Sequence, residues 1–322
     1  MHPTPSGTRD VLPDEMRELR VITESLRGVF EACGYGEIYT PALEYEPVQA
    51  RGGLGATPAY KLFDEHGNVL VLRSDMTLPI ARVVATRFAG AEPPLRFSYL
   101  AYAYRSVRPK RGEAREMLQA GIELVGAPGA EGTAEALRVL CAALDATGLE
   151  GYRIGLGDAS LFPSLLAAVG VDSTGAQAIL HELSTRNFVG LRETLELLDI
   201  ADAEAELLLS VAQMRGGPDV LERADGHVAE ALAGMREVHA RLPADAARRL
   251  IFDLGLTQKL GYYTGAVFEV YDSALGSPIG GGGRYDDLLG RFGRSLPAVG
   301  WALNVERLHL AAAGEKARSS WG

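Results

Sequence analysis

The feature that most constrains the fold is a series of strand patterns that follow one another with no helix between them. Residues 95–105 place Leu, Phe, Tyr, Ala and Ala on one face, and residues 119–125 form a further strand pattern. Alternation of this kind is typical of strands buried on one side. Consecutive strands favour an antiparallel sheet with its helices segregated to one side. The sequence therefore predicts an α+β domain.

Shorter patterns complete this domain. Residues 61–64 and 69–72 flank a Gly67-Asn68 turn, which predicts a hairpin. A Gly-Tyr-Tyr-Thr-Gly turn precedes the alternating run 266–271, which predicts a strand with two tyrosines at its entrance. Apolar residues at three- and four-residue spacing predict further helices, and short apolar runs predict further strands. These helices are expected at residues 13–34, 78–88, 132–146 and 305–313, and these strands at 152–157 and 298–303.

The character of the sequence changes between residue 158 and about residue 243. Strand patterns disappear, and short helical patterns rich in Ala and Leu replace them. One part of this segment, residues 193–210, carries six carboxylates and neither Lys nor Arg. We interpret the segment as an all-α insertion between two halves of the sheet domain. The predicted division is 1–157 for the first half, 158–245 for the insertion and 246–322 for the second half.

Composition excludes several classes of protein. No apolar run reaches the 18 residues that a transmembrane helix needs, and the first residues lack the apolar region of a secretory signal. We therefore expect a cytoplasmic protein that does not bind a membrane. The net charge of −10 argues against a broad nucleic-acid-binding face. Cys33 and Cys141 have no Cys or His neighbours at metal-ligand spacing, and the six histidines are scattered, so no metal site is expected.

Glycine motifs do not indicate a cofactor. Gly155-Leu-Gly157 is followed by Ser160 where a dinucleotide-binding fingerprint requires glycine. The four glycines at residues 280–283 lack the Lys-Ser/Thr pair of a phosphate-binding loop, so we expect a tight turn with a close backbone approach. No Gly-x-Ser-x-Gly nucleophile motif is present. We predict that the chain uses no cofactor.

One set of polar residues stands out because four predicted strands could bring it to one face of the sheet. The set suits a small ligand that carries an amine, with carboxylates for an ammonium group and amide or phenol groups for ring nitrogens. Each member taken singly is better explained as a solvated or structural residue. The members are Asp75 and Thr77 after one strand, Arg105 at the end of a second, Gln119 and Glu123 on one face of a third, and Tyr262 and Tyr263 before a fourth.

Seven segments of the chain resemble the catalytic domain of histidyl-tRNA synthetase, in the order and spacing of that family. The resemblance covers nearly all 322 residues. It implies a class II aminoacyl-tRNA synthetase-like fold, that is, an antiparallel sheet flanked by helices with a helical insertion. The segments are Gly7-Thr-Arg-Asp-Val-Leu-Pro13, Leu72-Arg-Ser-Asp-Met-Thr77, Ala103-Tyr-Arg-Ser-Val-Arg-Pro109, Gln119-Ala-Gly-Ile-Glu123, Leu260-Gly-Tyr-Tyr263, Gly281-Gly-Gly-Arg-Tyr-Asp286 and Ala298-Val-Gly-Trp-Ala-Leu-Asn-Val-Glu-Arg307.

The resemblance also implies a histidine-binding pocket. Asp75 and Thr77 match positions that hold the α-amino group of histidine in the family, and Gln119 lies close by. Glu123 and Tyr263 match positions that read the imidazole ring. An imidazole N–H that donates to a carboxylate makes a charge-assisted hydrogen bond worth about 1.5–3 kcal/mol. The predicted histidine-binding set is Asp75, Thr77, Arg105, Gln119, Glu123, Gln258, Tyr262 and Tyr263.

Three departures from the family pattern weaken the case for catalysis. Val107 stands where synthetases place a glutamate that helps to seat ATP, and Gln258 replaces an arginine that contacts the activated phosphate. Gly261 replaces an aspartate that usually precedes the paired tyrosines. Loss of one preorganised charge-stabilising donor typically lowers a rate by about 10²–10³. We therefore predict no catalytic residues, although an anion could still bind at Arg105, Arg115 and Arg307.

The sequence ends fifteen residues after Arg307, where the family's anticodon-binding domain would follow. Together with the retained pocket and the altered ATP site, this resembles the regulatory subunits of ATP phosphoribosyltransferase, a non-catalytic family of synthetase paralogues in histidine biosynthesis. The resemblance implies a hetero-oligomer with a short catalytic phosphoribosyltransferase subunit, a homodimeric core, histidine as the feedback effector and no tRNA partner. The alternatives are a truncated enzyme that activates histidine, and a free-standing histidine-binding module.

Overall fold

The computed structural model describes residues 4–53, 59–106, 114–223, 228–257 and 261–319. The described strands are β1 (Gly36–Glu37), β2 (Leu43–Tyr45), β3 (Lys61–Phe63), β4 (Val69–Leu72), β5 (Leu95–Tyr104), β6 (Glu116–Val125), β7 (Arg153–Asp158), β8 (Arg215–Gly216), β9 (Leu250–Asp253), β10 (Ala266–Tyr271), β11 (Gly280–Arg284) and β12 (Ala298–Asn304). The described helices are α1 (Pro13–Ala32), α2 (Glu46–Arg51), α3 (Thr77–Arg87), α4 (Gly129–Ala146), α5 (Leu161–Ala168), α6 (Ser173–Ser184), α7 (Phe188–Leu197), α8 (Asp202–Gln213), α9 (Val220–Arg223), α10 (Ala229–Ala240), α11 (Ala244–Ala247) and α12 (Val305–Ser319), with a 3-10 helix at Leu289–Phe292.

A nine-stranded sheet organises the molecule, in the order β1-β5-β6-β12-β11-β10-β7-β9-β8. Its neighbouring strands pair antiparallel, except for the parallel pairs of β1 with β5 and β7 with β9. The residues of one face, among them Ile122, Phe268 and Trp301, form one large core with α1, α4 and α12. This arrangement confirms the α+β, synthetase-like architecture predicted from the sequence.

The opposite face of the sheet carries a smaller core built around α3 and the 3-10 helix. Beside it lies a separate three-stranded sheet in the order β2-β4-β3. The predicted hairpin is confirmed, because Lys61–Phe63 pairs antiparallel with β4. The polar residues singled out in the sequence flank this second core.

The structure corrects the prediction for the four consecutive glycines. Residues 280–283 are not a tight turn but most of strand β11, in the interior of the sheet. The close backbone approach that the glycines predicted is present, since a Cβ on Gly282 would lie 2.1 Å from the carbonyl oxygen of Gly300. Glycine is required here because strand β12 leaves no room for a side chain.

The middle of the chain is mainly helical, as predicted. Helices α5 to α11 fill most of residues 158–245, and one two-residue strand, β8, leaves them to pair with β9 at the edge of the sheet. The division at residues 157 and 245 stays a prediction. No helix within the described ranges is both long enough and apolar enough to cross a membrane.

Candidate functional site

A buried carboxyl group stands at the centre of the candidate site. Glu123 projects from β6 on the face opposite the large core, and only 1% of it is exposed. The Thr77 hydroxyl donates a hydrogen bond of 2.7 Å to its Oε1 atom, and the Tyr285 hydroxyl donates to its Oε2 atom. A carboxyl group held in this way presents a fixed acceptor to any ligand that enters beside it.

The pocket changes the protonation of this carboxyl. Burial raises the pKa of Glu123 to about 8, although the hydrogen bonds from Tyr285 and Thr77 act in the opposite direction. The neighbouring charge of Asp75 raises it further. Near neutral pH the Glu123 carboxyl is therefore mostly protonated.

Three tyrosine rings form the wall beside Glu123. The ring centroid of Tyr262 lies 4.9 Å from that of Tyr263 and 5.8 Å from that of Tyr285. Burial raises the pKa of all three phenols, so they remain neutral hydrogen-bonding groups. Tyr99, from β5, is also buried on this side of the sheet. The wall is therefore aromatic but carries hydroxyl groups.

Glycines form the floor of the pocket. The strand register places Glu123, Gly300 and Gly283 side by side on three adjacent strands. A Cβ at Gly300 would lie 1.9 Å from the Glu123 Oε2 atom, and one at Gly283 would lie 2.8 Å from the Tyr263 ring. Both glycines therefore leave the space that the carboxyl group and the phenol ring occupy.

A second carboxylate enters from the turn between β4 and α3. The Asp75 Oδ1 atom accepts a hydrogen bond of 3.0 Å from the Leu78 amide, and Oδ2 accepts one of 3.0 Å from the Ser74 hydroxyl. Burial raises the pKa of Asp75, whereas these hydrogen bonds and the charge of Arg105 lower it. Two carboxyl groups in one pocket suit a ligand that carries positive charge.

Gln119 lies on the same face of β6 as Glu123, four residues earlier. Its Oε1 atom is buried and has no hydrogen-bond partner among the described residues. A buried amide oxygen without a partner is costly, so a ligand donor at this position would be stabilising.

The predicted arginines lie at the margin of the site. Arg105 is exposed, and its charge acts on both Asp75 and Arg307. The backbone amide of Arg105 donates to the carbonyl of Arg115, which places these two residues side by side. The structure thus brings Asp75, Thr77, Glu123 and the two tyrosines together, with Arg105 near them.

Two residues on which the prediction against catalysis rested, Gln258 and Val107, lie outside the described residues. Gly261 is described and exposed. No group of three or more His, Cys, Asp or Glu side chains able to hold a metal ion occurs in the part of the chain that the structure describes.

Sequence reasoning missed two members of the pocket. Tyr285 donates a hydrogen bond to Glu123. Tyr99 on β5 pairs with Gly121 on the neighbouring strand β6. Tyr285 belongs to the Gly281–Asp286 segment that carried the family resemblance, so a signal for it existed. Tyr99 occurs in an ordinary strand pattern, and nothing in its local sequence separates it from a core tyrosine.

Comparisons with known proteins agree with this fold. The family model described as histidyl-tRNA synthetase matches residues 7–308. A crystal structure described as an ATP phosphoribosyltransferase regulatory subunit/histidyl-tRNA synthetase from Bacillus halodurans superposes with a TM-score of 0.89 at 33% identity, covering 97% of this chain and 83% of that one. Histidyl-tRNA synthetase from Nostoc, at 23% identity and a TM-score of 0.81 over 95% of this chain and 74% of that one, shares the fold. The chain therefore belongs to the histidyl-tRNA synthetase family.

Sequence relatives narrow this assignment. A protein from Desulforamulus reducens is 39% identical over 95% of this chain and 78% of its own length, and one from Symbiobacterium thermophilum is 41% identical over 95% and 79%. Both are named ATP phosphoribosyltransferase regulatory subunit. Within the synthetase family, the chain belongs with these regulatory subunits.

Proposed function

We propose that this chain is a regulatory subunit of an ATP phosphoribosyltransferase in histidine biosynthesis, and that L-histidine is the effector bound in the Glu123 pocket. The names of its relatives support the first statement. The observation that carries the second is the buried Glu123 carboxyl, held by Thr77 and Tyr285 beside a second carboxyl group at Asp75.

The pocket offers partners for the imidazole and the α-ammonium group of histidine. In the proposed complex an imidazole nitrogen donates its proton to Glu123, and the α-ammonium group lies near Asp75. Gln119 offers its unpartnered amide oxygen to a second ligand donor. An apolar side chain of similar size would leave the Glu123 carboxyl without a ligand partner, so the site would reject it.

The proposed role is regulatory and not catalytic. The chain would act in the cytoplasm as a homodimer that associates with the catalytic subunit, supports its activity and makes it sensitive to histidine. Histidine can shift the assembly only if it binds one of its states more tightly than another. The pocket contacts are one source of this differential affinity.

Reconstitution with a short-form catalytic phosphoribosyltransferase subunit tests the proposal. The purified proteins should elute together in size-exclusion chromatography, the catalytic subunit should gain activity, and L-histidine should inhibit the mixture. Failure to form a complex, with no change in activity, would contradict the regulatory role.

Histidine activation by this chain is the second candidate function. The charge of Arg105, which acts on both Arg307 and Asp75, favours it, because neighbouring guanidinium groups could bind a phosphate. Histidine-dependent exchange of pyrophosphate into ATP, measured with the chain alone, would support this second function. If a sample binds histidine in calorimetry but shows no such exchange, histidine activation is excluded and the regulatory role is favoured.

A further inference from the structure

A second cavity lies on the far side of the sheet from α1, between helical residues and the strands β8 to β10. Its volume is about 500 Å³, within the range of small-ligand sites. No side chain of the Glu123 pocket lines it. The lining residues are Arg186, Phe188, Ala212, Gln213, Arg215, Asp253 and Tyr271.

Two guanidinium groups converge on one buried carboxylate in this cavity. The Arg186 Nη2 atom donates to Asp253 Oδ2 at 2.9 Å, and Arg215 donates to the same oxygen through Nε at 3.1 Å and through Nη2. The Asp253 side chain is only 3% exposed, whereas the arginine side chains are 35% and 50% exposed. The carboxylate is therefore buried beneath the pair, and the guanidinium groups reach the open space.

The charges at this point do not balance. One carboxylate faces two guanidinium groups, which leaves one positive charge on the cavity wall. Burial acts to lower the pKa of Arg186, but the charge of Asp253, the Tyr271 phenol and the hydrogen bonds to both together outweigh it, and the pKa is raised. Tyr271 accepts a hydrogen bond of 3.1 Å from Arg186, and its pKa is raised by burial, so it contributes no charge. A further carboxylate, Glu269, lies beyond Tyr271, whose hydroxyl donates to it.

The guanidinium groups also retain free donors. Arg186 uses only Nη2, and Arg215 uses only Nε and Nη2, in hydrogen bonds to described residues. Guanidinium N–H groups arranged as a fork match the oxygens of a carboxylate or phosphate. Phe188, which is partly buried, supplies an apolar surface in the same cavity.

The backbone at Arg186 ends helix α6 in a Schellman cap. Its φ is +54°, the Arg186 amide donates to the Leu183 carbonyl at 2.9 Å, and the Asn187 amide donates to the Glu182 carbonyl at 2.9 Å. Here the turn between α6 and α7 directs the Arg186 side chain to Asp253 and the cavity.

We propose that this cavity binds a small organic oxyanion, a phosphate ester or a carboxylate that carries an apolar group. The anionic group pairs with Arg186 and Arg215, and the apolar group lies against Phe188. This site is separate from the Glu123 pocket and does not depend on the proposed function of that pocket.

Calorimetric titration of the whole chain with phenyl phosphate and, separately, with benzoate tests this site. Saturable 1:1 binding of phenyl phosphate identifies a phosphate ester site, and binding of benzoate alone identifies a carboxylate site. Arg215→Gln should weaken the binding at least about tenfold, because a charge-assisted contact is lost. The control Arg192→Gln removes an exposed arginine of the same helical region, paired with Glu206, and should leave the binding unchanged.

Two further variants make the outcome decisive. Glu123→Gln should bind the same probe as the unchanged chain, which separates this site from the proposed histidine pocket. Arg186→Gln should also weaken the binding, with its folding checked by a thermal melt. No saturable binding of either probe, or equal affinities for Arg215→Gln and Arg192→Gln, would overturn the proposal.

Discussion

The two faces of the nine-stranded sheet are formed by the same strands but have opposite properties. On β6 the side chains directed toward α1 and α4 are Ala120, Ile122 and Leu124, all with no exposed surface. The alternate positions hold Gln119 and Glu123, which place polar atoms in the interior. Because side chains alternate across a strand, one short segment serves stability on one face and the proposed recognition of histidine on the other. Substitutions one residue apart should therefore separate the two properties.

The largest effect is expected on the face directed toward α1 and α4. Ile122→Ala removes buried methyl groups and should lower the free energy of unfolding by about 3 kcal/mol, measured by chemical denaturation. The histidine affinity of the folded protein should change by less than about twofold, which is a smaller effect than the loss of one hydrogen bond would have. The control Val21→Ala, on the exposed side of α1, should change stability by less than about 0.5 kcal/mol. A parallel loss of affinity in Ile122→Ala would show that the two faces are not independent.

The next effect is expected on the pocket face. Glu123→Gln keeps the shape of the side chain but removes the carboxyl group that would share a proton with the imidazole, so histidine affinity should fall at least about tenfold in calorimetry. Stability should be unchanged or higher, because a buried ionisable group is removed. Glu116→Gln, on the same strand but the opposite face, is the matched control and should bind histidine normally.

A smaller effect is expected from crowding the pocket floor. Gly300→Ala places a methyl group against the Glu123 Oε2 atom and 2.6 Å from the carbonyl oxygen of Ile122, so the carboxyl and the adjacent backbone of β6 must shift. Histidine affinity should fall by about tenfold, as for the loss of one contact, in protein whose folding is confirmed by a thermal melt. Gly28→Ala makes the same change in α1, where a Cβ meets no atom within 4 Å, and should leave affinity unchanged. Normal histidine binding by Gly300→Ala would show that the ligand does not depend on the position of Glu123.

The smallest effect is expected from a change of pH within the neutral range, which should barely alter the contribution of Glu123 to histidine affinity. Glu123 holds its proton below about pH 8, and in the proposed complex Glu123 and the imidazole would share one proton. The quantity to follow is the histidine affinity of the unchanged chain divided by that of Glu123→Gln. Below about pH 8 Glu123 itself supplies the shared proton, so this ratio should not change with pH. Above it the proton must come from solvent, and the ratio should fall by up to about tenfold per pH unit. Calorimetry between pH 6.5 and pH 9.5 measures this ratio, and a ratio that rises with pH would contradict the shared proton.

The sequence predicted those parts of the site that depend on local periodicity. The alternation of β6 placed Gln119 and Glu123 on one face, and the segment after β4 placed Asp75 and Thr77 together. The strand formed by the glycines at 280–283 could not be predicted, because its partner strands β10 and β12 determine it.

Contacts between distant parts of the chain were also beyond sequence reasoning. Arg186 meets Asp253 across 67 positions of the sequence, and Tyr285 meets Glu123 across 162. Local periodicity indicates neither contact, although the family resemblance singled out the segment that contains Tyr285. Periodicity specifies the face on which a side chain lies, whereas the tertiary fold specifies its partner.

The most direct test of the central claim is histidine inhibition of the reconstituted complex with the catalytic phosphoribosyltransferase subunit. The complexes to compare contain the unchanged chain, Glu123→Gln or Glu116→Gln, each at matched activity without histidine. We expect the histidine concentration for half inhibition to rise at least about tenfold for Glu123→Gln and to stay constant for Glu116→Gln. Equal inhibition of all three complexes would show that histidine acts at a site other than the Glu123 pocket.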